Sequence, residues 1–539
     1  MMQSQLTLVP LLERAGKLFS KVEIVSRRPN NWTHHSTYGD FYRRARALAA
    51  VLQEGGIRPG DRVATLMWNH HTHLEAYFGI PITGGVLHTL NLRLHADELA
   101  YIVNHAEDRF LIVDDVLLPV FEKIKDRVNF ERIIVVPFGG ASVLSGYEDY
   151  EQLLQRSGGN PKYADLKETD PAAMCYTSGT TGKPKGVVYS HRALALHSYS
   201  ISLKDNFSIS RNDTILPVMS MFHANAWGLP YAAVMNGSKL IFPGPNLQPE
   251  PILDLLSSNE VTLTGAVPTV WLGVIGALER EPHRWQLAEG MRVIVAGSAC
   301  PETLFRRFDK FGMRVIQPWG LTETTPIATV STLKPHMESW SEDQKYELRA
   351  KQGLTSPFIE IRAMGDDGEV PWDAETPGEL EVRGPFVAES YYKQPDEDAR
   401  WTEDGWFRTG DVATIDSEGY VKITDRSKDL IKSGGEWISS INLENALIAH
   451  PGVAEAAVIA VPHPKWQERP LAVVVLKKEA EVREDSLRSF LAHKFAKWQL
   501  PDEFVFVREL PHTSTGKLLK TELRRTYKDW NWAALTAAV

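Results

Sequence analysis

"YTSGTTGKPKG", Tyr176–Gly186, packs four aliphatic hydroxyl side chains, three glycines and two lysines into one short stretch. Such composition points to an anion cradle. Glycines let backbone N–H groups approach a ligand closely, and runs of them form anion-binding concavities. Thr177, Ser178, Thr180 and Thr181 add hydroxyl donors, and Lys185 adds a charge on a flexible stem. The Walker spacing G-x-x-x-x-G-K-[ST] does not fit: Thr177 stands where the first glycine belongs, and Pro184 follows Lys183. The stretch therefore reads as a polyphosphate loop of another design, against the plainer reading of a Gly/Ser/Thr surface loop.

Outward from this loop, apolar runs alternate with helical patterns. Arg62–Met67, Arg109–Val113, Ile133–Val136 and Arg292–Gly297 read as buried strands covered on both faces. Thr37 with Asp40 reads as a capped helix start, with Phe41, Ala45, Leu48 and Leu52 on one face. Leu304, Phe305, Phe308 and Phe311 mark another helix. From about residue 355 the texture changes to alternating strands around Asp-Gly and Glu-Gly turns. Beyond Asp425–Trp437, strands at "EAAVIAV", "PLAVVVL" and "EFVFV" flank a helix near 486–496. The expected fold is α/β: a large N-terminal domain over 1–424, layered, with a β-rich subdomain at about 355–424. A hinge at 425–430 and a small mobile C-terminal α/β domain at 431–539 complete it.

Bulk numbers narrow the function classes. A chain of 539 residues exceeds one core, so two or more domains are expected. The net charge of −9 argues against a general nucleic-acid binder. Two cysteines, Cys175 and Cys300, exclude a disulfide framework and place the chain in a reducing compartment, read as the cytoplasm. The N-terminus lacks the pattern of a secretory signal, and no apolar run approaches the roughly 20 residues that span a bilayer. His70, His71 and His73 invite a metal, but no cysteine or carboxylate cluster completes a site. Met337–Lys351 reads as a solvated helix.

Four further stretches carry chemistry. In "QPWGLTETTP", Gln317–Pro326, an aromatic ring, a glycine and Glu323 stand where a strand should end, the place open α/β sheets put ligands. Trp319 suits stacking on a flat base, and Glu323 suits Mg2+ near phosphates. In "GWFRTGD", Gly405–Asp411, the aspartate suits a ribose diol. "DRSKDLIKSGGEWIS", Asp425–Ser439, sits at the expected domain junction, and "TSTGKLLK", Thr513–Lys520, places Lys517 after a flexible run. Each alone also fits a turn, a linker or a solvated lysine.

Together, and in this order, these motifs resemble the adenylate-forming superfamily of acyl-CoA synthetases, luciferases and peptide-synthetase adenylation domains, from about Thr37 to Lys520. "SMFHANAW", Ser220–Trp227, and "KWQERPLAVVV", Lys465–Val475, are most similar to its fatty acyl-CoA synthetase branch. The resemblance implies a two-step reaction. A carboxylate attacks the α-phosphate of MgATP, giving an acyl-adenylate and pyrophosphate; coenzyme A then takes the acyl group and AMP leaves. It also implies roles. Thr177, Ser178, Gly179, Thr180, Thr181, Gly182 and Lys185 hold the β- and γ-phosphates. Lys517 reaches the carboxylate and α-phosphate, Glu323 with Thr177 binds Mg2+, and Thr322 touches phosphate. Trp319 stacks on adenine beside Gln317, Pro318, Gly320 and the segment Gly297, Ser298, Ala299, Pro301. Asp411 and Arg426 hold the ribose, with Ile423 alongside. His223 and Trp227 form the acid wall, Trp227 as its gate. Asp425 is the hinge about which the small domain turns, exchanging Lys517 for a thiol channel of Lys432, Gly434, Gly435 and Trp437. A homodimer through the large domain is implied as well.

An aspartate holds the substrate ammonium in amino-acid-activating relatives; His223 stands there, so an amino acid is disfavoured. Trp319 replaces the usual tyrosine, and Ser220 stands where proline is common. Ligases for short thioether acids such as 3-methylthiopropionate share these features. The expected activity is an aliphatic acid–CoA ligase; the alternatives are such a thioether-acid ligase, a luciferase-type oxygenase, loading of a carrier protein, or nucleotide binding without turnover.

Overall fold

The computed structural model describes residues 2–177, 183–297, 300, 302–394, 399–426, 428–433, 436–478, 480–513, 517–530 and 532. Two seven-stranded sheets form its largest part. One runs Glu148–Asp149, Arg132–Val136, Asp108–Asp114, Arg62–Leu66, Val86–Thr89, Pro171–Tyr176, Gly186–Ser190. All its pairs are parallel except the last, so Pro171–Tyr176 and Gly186–Ser190 make an antiparallel hairpin at the sheet's edge. The other runs Arg314–Ile316, Arg292–Val295, Leu263–Ala266, Thr214–Pro217, Lys239–Phe242, Glu23–Arg27, Thr33–Thr37, and is also parallel but for its last pair. The four apolar runs singled out in the sequence are central strands of these two sheets, which explains their lack of polar alternation.

One hydrophobic core joins the sheets: Phe110, Ile112 and Ile134 of the first share it with Ile215, Leu240, Leu263 and Ile294 of the second. Helix Tyr38–Glu54 lies in that core because Phe41, Ala45, Leu48 and Leu52 fall on one buried face. It starts where Thr37 closes a capping box with Asp40, whose backbone N–H donates to Thr37 Oγ1 at 3.2 Å while Asp40 Oδ2 accepts from Thr37 N at 2.9 Å. Such a cap stabilises by about 1 kcal/mol. Helix His71–Gly79 is buried throughout. Asn69 staples the sheets together, donating to the carbonyls of Pro217 and Met219 and accepting from Met221 N–H. The histidines beside it are structural: His70 Nε2 meets Asp114 at 2.9 Å, His73 meets Thr65 at 3.0 Å, and His71 stacks on His34 with ring centroids 4.0 Å apart.

Three smaller sheets follow. Pro318–Gly320 leaves the end of strand Arg314–Ile316 and pairs with Ile327–Val330, which pairs with Leu354–Thr355. A five-stranded antiparallel sheet is built from Gly368–Glu369, Glu360–Gly365, Gly378–Arg383, Phe407–Ile415 and Val421–Arg426, and is the β-rich part expected from about 355. The C-terminal sheet orders Glu436–Ile438, Ile431–Ser433, Gln467–Leu476 and Val453–His463, with Glu503–Phe506 parallel to Gln467–Leu476. Its helix is Glu484–Ala492, shorter than the expected 486–496 at its far end. The stretch 337–351 is not one solvated helix. Pro335–Ser339 is a 3-10 turn that buries Met337, and helix Glu342–Arg349 starts afresh at a Ser341–Gln344 capping box.

Candidate active site

The site lies where the hairpin, the Pro318–Gly320 strand, the antiparallel sheet and the C-terminal part meet. Thr177 closes the hairpin: its N–H donates to Lys185 O at 2.9 Å and its Oγ1 accepts from Lys185 N at 3.2 Å. The predicted cradle residues Ser178, Gly179, Thr180, Thr181 and Gly182 lie outside the described residues. Lys185 Nζ sits 5.0 Å from the centre of the Tyr391 ring, and the Tyr391 hydroxyl donates to Glu323 Oε1 at 2.5 Å. Glu323 is buried, and its carbonyl accepts from Ala388 N–H at 2.8 Å. Thr322 carries its carbonyl to the Tyr189 hydroxyl at 2.8 Å. Thus Thr177, Lys185, Thr322 and Glu323 converge, held by two tyrosines that sequence reasoning missed. Tyr391 sits in "ESYYKQ", and Tyr189 is a plain strand residue.

The nucleotide-side residues also meet. Gly320 admits no side chain, because a Cβ there would fall 1.7 Å from the Pro326 carbonyl oxygen. The strand Pro318–Gly320 passes the Pro326 carbonyl at this close approach, and Trp319 is buried. The Trp319 indole N–H donates to Asp411 Oδ2 at 2.9 Å, and Arg426 Nε lies 3.0 Å from Asp411 Oδ1. Ile423 packs on the apolar cluster that holds Trp319, and its N–H donates to Gln352. Gln317 is buried; its amide N–H donates to Ala350 O, while Gln317 Oε1 has no partner among the described residues. Gly297 has φ of +92°, and a Cβ on it would lie 3.6 Å from Lys517 Cε. Ser298, Ala299 and Pro301 lie outside the described residues.

Lys517 therefore reaches the large site from the C-terminal part. Burial pushes its pKa down to about 8, and the Arg426 charge pushes the same way; Asp411 and Glu323 pull upward. His223 feels burial and then the Lys517 charge, which push it down to about 3, so its imidazole is neutral at physiological pH. A small crevice beside His223 is bordered by Thr177, Tyr176, His88 and Phe222. Behind His223, residues 224–227 form a turn with φ of 42°, 51°, 50° and 53°, a left-handed run of L-residues. Asn225 Oδ1 accepts from the Cys175 thiol at 2.9 Å, and Trp227 is buried.

A lysine with its folded pKa lowered loses its proton as pH rises through that value. The kcat/KM for ATP, which reports the free enzyme, is expected to fall about tenfold per pH unit above pH 8. Lys517→Arg, whose guanidinium stays charged, is expected to lower the rate but to remove that limb. A wild-type profile flat to pH 9.5, or the same limb in the arginine variant, would show that another group titrates.

At the junction, Asp425 Oδ2 accepts from Ser440 N–H at 2.6 Å and Ser440 Oγ at 2.7 Å, and Lys520 Nζ donates to Ser440 Oγ at 2.7 Å. Lys520 also pairs with buried Glu444 at 2.7 Å, whose carboxyl burial pushes up to about 7. Ser439 Oγ donates to Thr424 O. Lys520, within "GKLLK", thus ties the C-terminal helix to the Asp425–Ser440 junction, a contact the sequence did not reveal. Lys432 and Trp437, predicted for the thiol channel, are not brought to Asp411 and Lys517. They lie exposed, with Lys432 Nζ 5.4 Å from the Trp437 ring centre. Gly434 and Gly435 lie outside the described residues.

The chain is similar to known proteins over nearly its whole length. The model of the AMP-binding enzyme family matches residues 13–392, and that of the AMP-binding enzyme C-terminal domain matches 442–517. The chain is 49% identical to a long-chain-fatty-acid–CoA ligase of Thermus thermophilus over 98% of this chain and 97% of that one. It is 41% identical to a medium-chain-fatty-acid–CoA ligase of Ectopseudomonas oleovorans, covering 98% and 97%. To a 3-methylmercaptopropionyl-CoA ligase of Ruegeria pomeroyi it is also 41% identical, covering 98% of each. The crystal structure of ATP-bound MatB from Rhodopseudomonas palustris superposes with a TM-score of 0.82 at 26% identity, covering 98% of this chain and 99% of that one. Family models spanning both parts, full-length relatives and a matching ATP-bound fold leave one conclusion: the chain belongs to the AMP-binding enzyme family and is an AMP-forming acid–CoA ligase.

Proposed function

We propose that the acid is aliphatic, a medium- to long-chain fatty acid, and that the residues gathered here perform its activation. The observation that carries the mechanism is Lys517, a partly desolvated cation set between Gly297, Asp411 and Glu323. A carboxylate approaching a polyphosphate is repelled, so cationic groups must stand between them, and positioned charge is the main catalytic resource of phosphoryl-type transfer. Lys517 bridges acid and α-phosphate; Thr177 and Lys185 hold the outer phosphates; Asp411 and Arg426 hold the ribose; Trp319 covers the base. Glu323 and the Thr177 hydroxyl are hard oxygen donors and suit Mg2+. Among the described residues no larger cluster competes for a metal, in keeping with an ion held by one or two protein oxygens plus phosphates. Once bound there, it would offset phosphate charge.

The wall supports an aliphatic acid. Neutral His223 gives the carboxylate a hydrogen-bonding neighbour, and Trp227 offers an apolar face. A second reading, a short thioether acid, is supported by the 41% identity to a 3-methylmercaptopropionyl-CoA ligase and by the burial of the turn 224–227 next to His223. In the thiol step the small domain turns about Asp425, and Lys432, Gly434, Gly435 and Trp437 replace Lys517. A homodimer through the large domain and a cytoplasmic location fit this reading. No described helix is long and apolar enough to cross a membrane.

The test is AMP and pyrophosphate release with MgATP across straight-chain acids from acetate to palmitate and with 3-methylthiopropionate, with and without CoA. Release needing both CoA and a medium or long acid is expected. A preference for the thioether acid selects the second reading, and pyrophosphate without CoA-dependent turnover points to another acceptor, such as a carrier protein.

A further inference from the structure

Asp411 is 3% exposed and meets partners on both oxygens: the Trp319 indole N–H on Oδ2 and Arg426 on Oδ1. Its own N–H donates to Thr409 Oγ1 at 3.1 Å. A buried carboxylate needs such partners, because desolvating an unpaired charge is costly. Each oxygen keeps a second lone pair, so one hydrogen bond and one ion pair hold the group without exhausting its acceptor capacity. The indole is itself fixed, packed in one apolar cluster with Ala328, Phe386 and Phe407. The donor's place on the ring matters here. An indole carries its N–H on the flank of the ring, so the bond to Asp411 is made by the flank and engages neither face. A phenol carries its donor at the tip, and a phenyl ring has none.

We propose that Trp319 is a positioning residue for ribose recognition: its N–H holds Asp411 in the orientation that receives the ribose diol, beyond any stacking of its face on the base. The proposal rests on the assignment of Asp411 to the ribose. Residue 319 then tunes nucleotide affinity through the sugar, and tryptophan in place of tyrosine moves the ring's donor from its tip to its flank.

The test measures Kd by calorimetry for ATP, 2′-deoxyATP and 3′-deoxyATP on the full chain, comparing wild type, Trp319→Phe, and a variant carrying benzothienylalanine at 319, which keeps the bicyclic shape without the N–H. In wild type, at least one deoxynucleotide is expected to bind about tenfold more weakly, the worth of one charge-assisted hydrogen bond. Both variants are expected to weaken ATP about tenfold and to shrink the deoxy penalty to about twofold, with the melting temperature of the benzothienyl form lowered by no more than a few degrees. A stacking role alone would weaken all three nucleotides by one common factor and leave the penalty intact, which overturns the proposal. So does a wild type that binds ATP and both deoxynucleotides alike. Binding needs no turnover, so ATP affinity with no acid-dependent AMP release would sink the ligase reading while this one is still decided.

Discussion

Replacing Lys517 with alanine is expected to slow acyl-adenylate formation by about a thousandfold, while CoA-dependent consumption of preformed adenylate stays within about tenfold of wild type. The asymmetry comes from geometry. In this pose Lys517 sits against Gly297 with Asp411, Arg426 and Glu323 within electrostatic reach, and His223 feels its charge. Nothing else described from the C-terminal part brings a cation to that point. The loss should be chemical rather than structural, since the loop is closed by backbone bonds that alanine keeps: Thr513 N–H donates to Lys517 O at 2.7 Å, and Lys517 N–H to Thr513 Oγ1 at 3.1 Å. Pyrophosphate release reads the first half-reaction, and thioester formation from synthetic adenylate reads the second. Equal losses in both would show that the two halves share the lysine, and the division of labour about Asp425 would be wrong.

Glu323→Gln is expected to lower kcat/KM for MgATP by about a hundredfold, with part of the loss recovered by raising Mg2+. The substitution keeps shape and the bond from Tyr391, because an amide oxygen also accepts from a phenol. What disappears is the negative charge, which both Lys517 and Arg426 feel. The melting temperature should move little. Tyr391→Phe, which leaves the carboxylate but frees its orientation, is expected to cost about tenfold. A Glu323→Gln enzyme with an intact fold and a loss that Mg2+ does not relieve would show that Glu323 acts on something other than a metal.

Sequence carried the fold where the physics is local. Thr37 and Asp40 predicted a helix start because a capping box needs only neighbours. The central strands were legible because burial on both faces leaves no polar alternation. Resemblance carried the site: Thr177, Trp319, Glu323, Asp411 and Lys517 lie far apart in the chain, and only the recurrence of their motifs assigned them together. What stayed hidden were long-range partners. Tyr391 meets Glu323 across 68 positions, Trp319 meets Asp411 across 92, and Lys520 meets Ser440 across 80. No spacing rule reaches that far. The helix expected across 337–351 failed for a local reason that weighed too little: Ser341 and Gln344 cap a new start, and Met337 fills the core.

The left-handed turn at 224–227 gives the acid wall an unusual mechanical character. For L-residues this hand costs about 1–2 kcal/mol per residue, and here it is held by hydrogen bonds from Ala226 N–H to His223 O and from Gly228 N–H to Asn225 O, with Cys175 gripping Asn225. Such a turn cannot relax by degrees, because a residue leaving it must cross the barrier between positive and negative φ, and its neighbours are hydrogen-bonded to it. A proposed acid wall held in this way resists gradual displacement. Activity across a series of lengthening acids should break in a step where the turn inverts, instead of declining smoothly with each added carbon.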